Sequence, residues 1–570
     1  MGRAFSWVRA LVRDLDGPER AVLFAVAILR VVGIGWGLPG SDGWDVDGIA
    51  PRDFLPGLVE TFTPGDYFTY PPFHLALLAV LTLPVTLVAL ARAPSLAPAD
   101  LVATFLGTGT MTAFAIVARV TSLVMSLGLL LVLGRLSEAV FGTRKARVWA
   151  MAFAGTEAAA TYYAHTTNLD LPMLFWGSLA VLAFVRALQA GAAAGAEATA
   201  SNPLRRAAVF AAFSIASKDQ GYALFAISVP VAVLVHGWGV ASGVAERRAL
   251  VRRLVLAAAT CVGLVLVIDG AVFNPSGFAA RLGFLTGPAS QDFAQHARTW
   301  AGRGSALVDT VRFLPNHYPV VAAPIFLAGI WLGLRGKRRP EWVVAALPLL
   351  VVVSFTLAFN CVARRVEERF VMPQMQFLAV YAGAIGTLAP RWTRYVAGVV
   401  LAMAARDAAT VDANMLGDAR YDAEDFMRAH FAAGEGVETY GSNVYLPRIP
   451  VPATRVGVTK GKNPMPGITE VQGALGDVAA RGPRWIVVPQ GFAWRYLQPD
   501  HGPDAEGRVL PAIQRSQLRD SDTTAYVRAL FAEKAGYRLA ARFHYGGNAV
   551  FPPRPLHASL ATDVYIFERN

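Results

Sequence analysis

AVLFAVAILRVVGIGWGLPGSDGWDVDGIAPRDF, residues 21–54, joins an apolar run to an acidic loop, and this junction governs how the rest of the chain is read. Residues 21–38 carry one charge, Arg30, and match the roughly 17–25 mostly apolar residues that a membrane crossing takes. Arg3, Arg9, Arg13 and Arg20 precede the run, and no small-residue cleavage site ends it, so the sequence predicts an uncleaved first span.

Further runs of this kind occupy 112–134, 148–164, 171–190, 221–238, 254–273, 318–334, 342–360 and 370–389, with two shorter ones at 207–217 and 394–408. Of the 570 residues, 54% are hydrophobic and 16% charged, against about 25% charged in a soluble chain. Apolar surface on that scale needs lipid as its solvent. The formal charge of +12 sits in short clusters between runs: Arg144/Lys145/Arg147, Arg205/Arg206, Arg247/Arg248/Arg252/Arg253 and Arg335/Lys337/Arg338/Arg339. That is the spacing of cytoplasmic loops, not of a nucleic-acid surface. Cys261 and Cys361 fall within and at the end of apolar runs and offer no disulfide framework.

Charge then sets the topology. With residues 1–20 inside, the loop 39–72 is outside, and it holds Asp42, Asp45, Asp47, Asp53, Glu60 and Asp66 against Arg52. Residues 73–91 contain Pro84 near their middle. Read as an in-plane or re-entrant helix that does not span, this run leaves every basic cluster inside. The expected outer loops are 39–111, 165–170, 218–220, 274–317 and 361–369. From 409 onward charge rises and the apolar stretches shorten to strand length, as in VETYGSNVYL (437–446) and RWIVVPQGF (484–492). The expected fold is a polytopic α-helical membrane domain, 1–408, of about eleven spans, followed by an extracytoplasmic soluble α/β domain, 409–570.

Chemistry-bearing residues collect in the outer loops. Asp45 and Asp47 directly follow a span; two such carboxylates hold a divalent cation, or raise one another's pKa toward that of a base, or form a solvated acidic loop. In YFTYPPFHL (67–75) the prolines enforce an extended entry, and His74 is either interfacial or functional. Asn168 and Asp170, in YYAHTTNLDLP (162–172), lie between two spans, where a carboxylate either faces a polar cavity or caps a helix. His165 is expected to support the site. Lys218 either pairs with its neighbour Asp219 or holds a phosphate. In CVARRVEERFVMP (361–373), Arg364, Arg365 and Arg369 break the positive-inside bias, as a lipid-phosphate grip or as salt bridges with Glu367 and Glu368. No phosphate-cradling glycine loop, zinc-ligand spacing or nucleophile elbow occurs.

In order, WDVDGIAPRDF (44–54), YPPFHL (70–75) with its in-plane helix, YYAHTTNLDLPMLFW (162–176), SKDQGYALF (217–225) and ERFVMPQMQFLAVYAG (368–383) resemble the GT-C superfamily of membrane glycosyltransferases. Within it, the chain is similar to bacterial relatives of dolichyl-phosphate-mannose–protein mannosyltransferases, the family 39-like proteins. DARYDAEDFM (418–427) and VETYGSNVYLPRIP (437–450) resemble the junction and outer domain of such proteins. The resemblance implies an inverting hexosyl-, mannosyl- or pentosyltransferase at the outer face of the plasma membrane. Its donor would be a polyprenyl-phosphate sugar and its acceptor a hydroxyl of a glycan, lipid or protein. It implies Asp47 as general base with Asp45 beside it, and Asp170 as a second acidic group orienting the acceptor or helping to hold a cation (magnesium, manganese or calcium, on Asp45 and Asp47). Lys218, Arg365 and Arg369 would neutralise the phosphate leaving group, and His74, His165 and Asn168 complete the substrate-binding set. The chain departs from the family in having Asp-Val-Asp where an Asp-Glu pair is usual. Two rival readings are a transporter or lipid flippase, and a silent assembly subunit presenting its outer domain to a partner.

Overall fold

The computed structural model describes residues 12, 14–40, 43–192, 197–240, 244–457, 465–497, 521–553, 559–560 and 562–570; Arg3, Arg9, Arg13 and Asp42 lie outside this set. Each predicted apolar run contains helix, although the first, 21–38, is helical only to Val31. Among the described residues, five helices can cross a membrane by length and composition: Thr108–Phe141, Asp170–Ala190, Asp219–His236, Arg247–Ile268 and Glu341–Ala363. Two bent pairs raise that number to seven if each is one span. The expected count of about eleven is therefore larger than the set of long unbroken helices. The physical reason is that several runs are interrupted.

The run 148–164 shows how. It forms helices Lys145–Gly155 and Ala158–Ala164, broken where the buried Glu157 turns its carboxylate onto the amides of Ala159 and Ala160. The same carboxylate meets His317 Nδ1 at 2.5 Å and receives a 3.2 Å hydrogen bond from Gln376 Nε2. A buried N-cap carboxylate satisfied from three sides favours a break over a continuous helix. The run 73–91 bends by 58° between Pro72–Leu81 and Leu83–Arg92. Pro84 lacks the amide a continuous helix needs, and the Thr82 hydroxyl bonds back to the Leu78 carbonyl at 2.7 Å.

The membrane domain packs around Thr108–Phe141, whose Leu129, Leu130, Val132 and Leu133 are fully buried. Small residues let backbones approach closely: a Cβ on Gly383 would overlap the Ser137 hydroxyl, which donates to the Val380 carbonyl at 2.8 Å. The expected outer loops meet at one end of this bundle, joined by Asp47–Arg369, Asp170–Lys218 and Asp219–Arg281. At the other end Arg147 pairs with Glu19 and Glu138, and Lys337 reaches the Val140 carbonyl. Acidic loops and basic clusters are thus separated along the bundle, as the charge pattern predicts.

One helix, Arg391–Leu416, leads into the sheet domain. Its six strands are β1 (Val437–Thr439), β2 (Ala453–Gly457), β3 (Ile468–Gln472), β4 (Trp485–Pro489), β5 (Tyr537–Phe543) and β6 (Val564–Arg569), in the order β3-β2-β1-β4-β6-β5. β1 to β4 are mutually parallel and β6 and β5 add antiparallel. β4, WIVVP, is buried throughout because both faces are covered, so it reads as an unbroken apolar run. The helix Ala419–His430 packs Ala423 and Met427 against Val437, Val487 and Ile566.

Candidate active site

The first loop is shaped by its own backbone bonds. Gly48 N donates to the Asp45 carbonyl at 3.2 Å, and Asp47 N donates to Asp45 Oδ1 at 3.3 Å. A Cβ on Gly48 would come within 2.8 Å of Thr167 Oγ1 and 3.1 Å of Asp45 Oδ2, so only glycine fits without displacement. The loop is pinned to 165–170 by three contacts. Thr167 Oγ1 donates to the Ile49 carbonyl (2.8 Å), Ile49 N to the Thr167 carbonyl (3.4 Å), and Asn168 Nδ2 to the Asp47 carbonyl (3.4 Å).

This places the two aspartates differently. Asp45 is buried and accepts from the Tyr162 hydroxyl at 3.0 Å. Asp47 keeps a quarter of its side chain exposed and meets Arg369 Nη1 at 2.6 Å. Arg369 Nε also donates to Glu367 Oε2 at 3.0 Å, while Arg365 Nε donates to Glu367 Oε1 at 2.6 Å and stacks over Phe293 and Phe370. Beside this group, Lys218 Nζ meets Asp170 Oδ2 at 2.7 Å, and Asp170 N donates to Asn168 Oδ1 at 2.8 Å.

Three carboxylates (Asp47, Asp170, Glu367) thus balance three cations (Lys218, Arg365, Arg369) in one cluster. Burial would raise Glu367, but the Arg369 and Arg365 guanidiniums overcome it and hold the carboxyl below its usual range. Burial lowers Lys218, with Asp170 partly restoring it and Arg369 lowering it further. Tyr70, on the loop above, is raised by burial and then by the charge on Asp47. Every cation is already satisfied by a carboxylate, so an incoming anion exchanges with carboxylates and does not fill a vacancy.

Of the residues singled out in sequence, Asp45, Asp47, Asn168, Asp170, Lys218, Arg365 and Arg369 come together here. His74 and His165 do not join the ion pairs. His74 is buried on the Pro72–Leu81 helix, and its Nδ1 has no hydrogen-bond partner among the described residues. His165 Nδ1 lies 2.6 Å from the Thr161 carbonyl and its Nε2 3.5 Å from Asp412 Oδ1, in the bundle interior. Lys218 does not pair with Asp219: Asp219 is held by both of its oxygens, at 2.6 Å each, to Nη2 of the buried Arg281. Arg281 is distant in sequence, so nothing local announced it. The same holds for Arg119, whose Nη1 donates to the Ile34 and Trp36 carbonyls at 2.6 and 2.8 Å.

A divalent cation on Asp45 and Asp47 would need the 2.6 Å pair between Asp47 Oδ1 and Arg369 Nη1 to open. No group of three His, Cys, Asp or Glu side chains with metal-binding geometry occurs among the described residues. A guanidinium 2.6 Å from Asp47 Oδ1 also repels a second cation there.

No protein-family model matches the chain, and no curated protein matches it. Among solved structures, ArnT from Cupriavidus metallidurans bound to undecaprenyl phosphate is similar at a TM-score of 0.50 and 15% identity, covering 99% of this chain and 98% of that one. The oligosaccharyltransferase AglB from Archaeoglobus fulgidus, in complex with an inhibitory peptide and a dolichol-phosphate, gives 0.46 and 13%, covering 97% and 88%. An oligosaccharyltransferase of Archaeoglobus fulgidus in complex with Zn and sulfate gives 0.44 and 13%, covering 96% and 88%. Over nearly its whole length the chain shares the fold of ArnT.

Proposed function

We propose that this multi-pass membrane protein is an inverting glycosyltransferase that moves a sugar from a polyprenyl-phosphate carrier to an acceptor hydroxyl at the extracytoplasmic face. One observation carries the reading: Asp47, a partly exposed carboxylate, is paired with Arg369 beside a second pair, Lys218–Asp170, where the outer loops converge. Undecaprenyl phosphate, the ligand of ArnT, has the chemistry such cations suit: an anionic phosphate on an apolar chain.

The arrangement supports a single displacement. The sugar phosphate exchanges its oxygens for the carboxylates on Arg369 and Lys218, which frees Asp47. Asp47 takes the proton from the acceptor hydroxyl as that oxygen forms a bond to the anomeric carbon from the opposite face. The bond from the anomeric carbon to the phosphate oxygen breaks, and its electron pair leaves with the polyprenyl phosphate. The leaving group already bears a low-pKa oxygen, so cations suffice and no acid is required. Asp170 orients Lys218 and faces the acceptor side, while Asp45, buried under Tyr162, fixes the loop that presents Asp47. In this reading the sheet domain lies outside the membrane, with its boundary in the Arg391–Leu416 helix or just after it.

The cluster of Asp47, Arg369, Lys218 and Asp170 lies where the outer loops converge, the placement that transfer at the membrane surface calls for. The test is movement of radiolabelled sugar from polyprenyl-phosphate donors in membranes carrying the wild-type protein or Asp47→Asn. Label should move with the wild type and fall by about 10²–10⁴-fold in the variant. Inert wild-type membranes across hexose and pentose donors would remove the transferase reading.

A further inference from the structure

The sheet domain reaches the acidic loop through a set of bonds that centre on one short segment. In the order β3-β2-β1-β4-β6-β5, the chain leaves β1 toward β2 and leaves β4 toward the other side. The two neighbouring strands therefore form a switch point, and in such sheets the crevice beyond the carboxyl ends of the strands is where ligands bind. Those ends continue into the turn Asn443–Tyr445 and into the helix Gln490–Leu497.

The turn is held on both sides of Tyr445, by Arg420 of the sheet domain on one side and by Trp44 of the loop on the other. Arg420 Nη1 donates to the Val444 carbonyl at 3.0 Å, and Trp44 Nε1 donates to the Leu446 carbonyl at 2.9 Å. Arg420 also donates to the Ser559 carbonyl at 2.7 Å and stacks over Trp44 at 4.0 Å. Val46, the residue between the two aspartates, donates its amide to Ser559 Oγ at 3.1 Å. The residue before Asp45 and the residue after it are thus both bonded to the sheet domain, next to Tyr445.

The ring of Tyr445 has little freedom. A Cβ on Gly491 would overlap it, so glycine there is what lets the ring lie flat against the helix start. On the same helix Arg495 donates from Nη2 to the carbonyl of Gly491, the residue the ring packs against, at 3.3 Å. The phenol is raised above its ordinary pKa first by burial, with Arg495 and Arg420 lowering it and Asp47 and Asp45 raising it. It is therefore a protonated donor, on a turn whose next residue, Leu446, is bonded to Trp44 beside Asp45.

We infer that Tyr445 and Arg495, carried by the sheet domain, form the acceptor side of the transfer site, as positioning residues that hold the acceptor over Asp47. The inference rests on the transferase reading and extends it: donor phosphate contacts come from the membrane domain, acceptor contacts from the sheet domain. Each half can then be perturbed without the other.

The experiment uses the full chain in nanodiscs and native membranes, with Tyr445→Phe as the variant because it keeps the ring against Gly491 and removes only the hydroxyl. Undecaprenyl phosphate binding is titrated, and label transfer to the endogenous acceptor pool is measured alongside melting temperature. Binding should stay within about twofold of wild type while transfer falls about tenfold, the worth of one hydrogen bond, at unchanged melting temperature. Arg495→Gln should behave the same way. An active wild type with transfer unchanged in both variants overturns the inference, as does loss of undecaprenyl phosphate binding in step with transfer. A wild type that neither binds undecaprenyl phosphate nor moves label overturns the transferase reading itself.

Discussion

Replacing Arg369 by glutamine removes the cation that links Asp47 to Glu367 and that the proposed phosphate would share. In the resting protein Arg369 donates to Asp47 at 2.6 Å and to Glu367 at 3.0 Å, with its side chain 12% exposed. A phosphate arriving here gains a charge-assisted contact but displaces the carboxylates, so the net worth is that of one such bond and not of a bare buried charge. Charge-assisted hydrogen bonds contribute about 1.5–3 kcal/mol, which corresponds to roughly ten- to hundredfold weaker undecaprenyl phosphate binding in Arg369→Gln. Arg369→Lys keeps the charge and loses the two-pronged geometry, so its affinity should fall between the two. The assay is a binding isotherm for undecaprenyl phosphate with purified protein in nanodiscs, at two ionic strengths. Removing one cation should also flatten the salt dependence. Arg369→Gln binding within twofold of wild type at both salt concentrations would refute the phosphate assignment.

Three further outcomes follow from the same geometry. Lys218 is lowered by burial, so its charge is lost as pH rises at values below the ordinary 10.5. Undecaprenyl phosphate binding should weaken over that range, and Lys218→Arg, which keeps its proton, should abolish the decline; matching pH profiles would disprove it. Glu367 is held below its usual range, so its contribution to stability is present above the unfolded pKa and is lost as pH falls through the folded one. Glu367→Gln should lower the melting temperature at neutral pH by the equivalent of about 1–3 kcal/mol, with the gap to wild type closing in acid. The buried Arg281 carries Asp219 on one nitrogen and lies 3.9 Å from Asp269. Arg281→Gln should cost about 3–5 kcal/mol in thermal unfolding, and a melting curve that overlays wild type would show the pair to be dispensable.

The membrane character, the helical runs and the opposite-end sorting of charge were legible because they are one-dimensional properties. Hydrophobic length and the sign of loop charge are set residue by residue, and lipid penalises any violation wherever the chain goes. The unbroken apolar reading of β4, and the acidic residues Asp45, Asp47 and Asp170 at span ends, belong to the same class. What sequence could not determine was which charge meets which. Lys218 and Asp219 are neighbours, yet the backbone turn sends one to Asp170 and the other to Arg281. His165 and Asn168 are three positions apart, yet one faces Asp412 in the bundle and the other the Asp47 carbonyl. The break at Glu157 depends on His317 and Gln376, and the seat of Tyr445 on Gly491, Trp44 and Arg420. Ion pairing and close packing act over a few ångströms between residues far apart in the chain, so only the tertiary fold, by fixing those distances, decided the site.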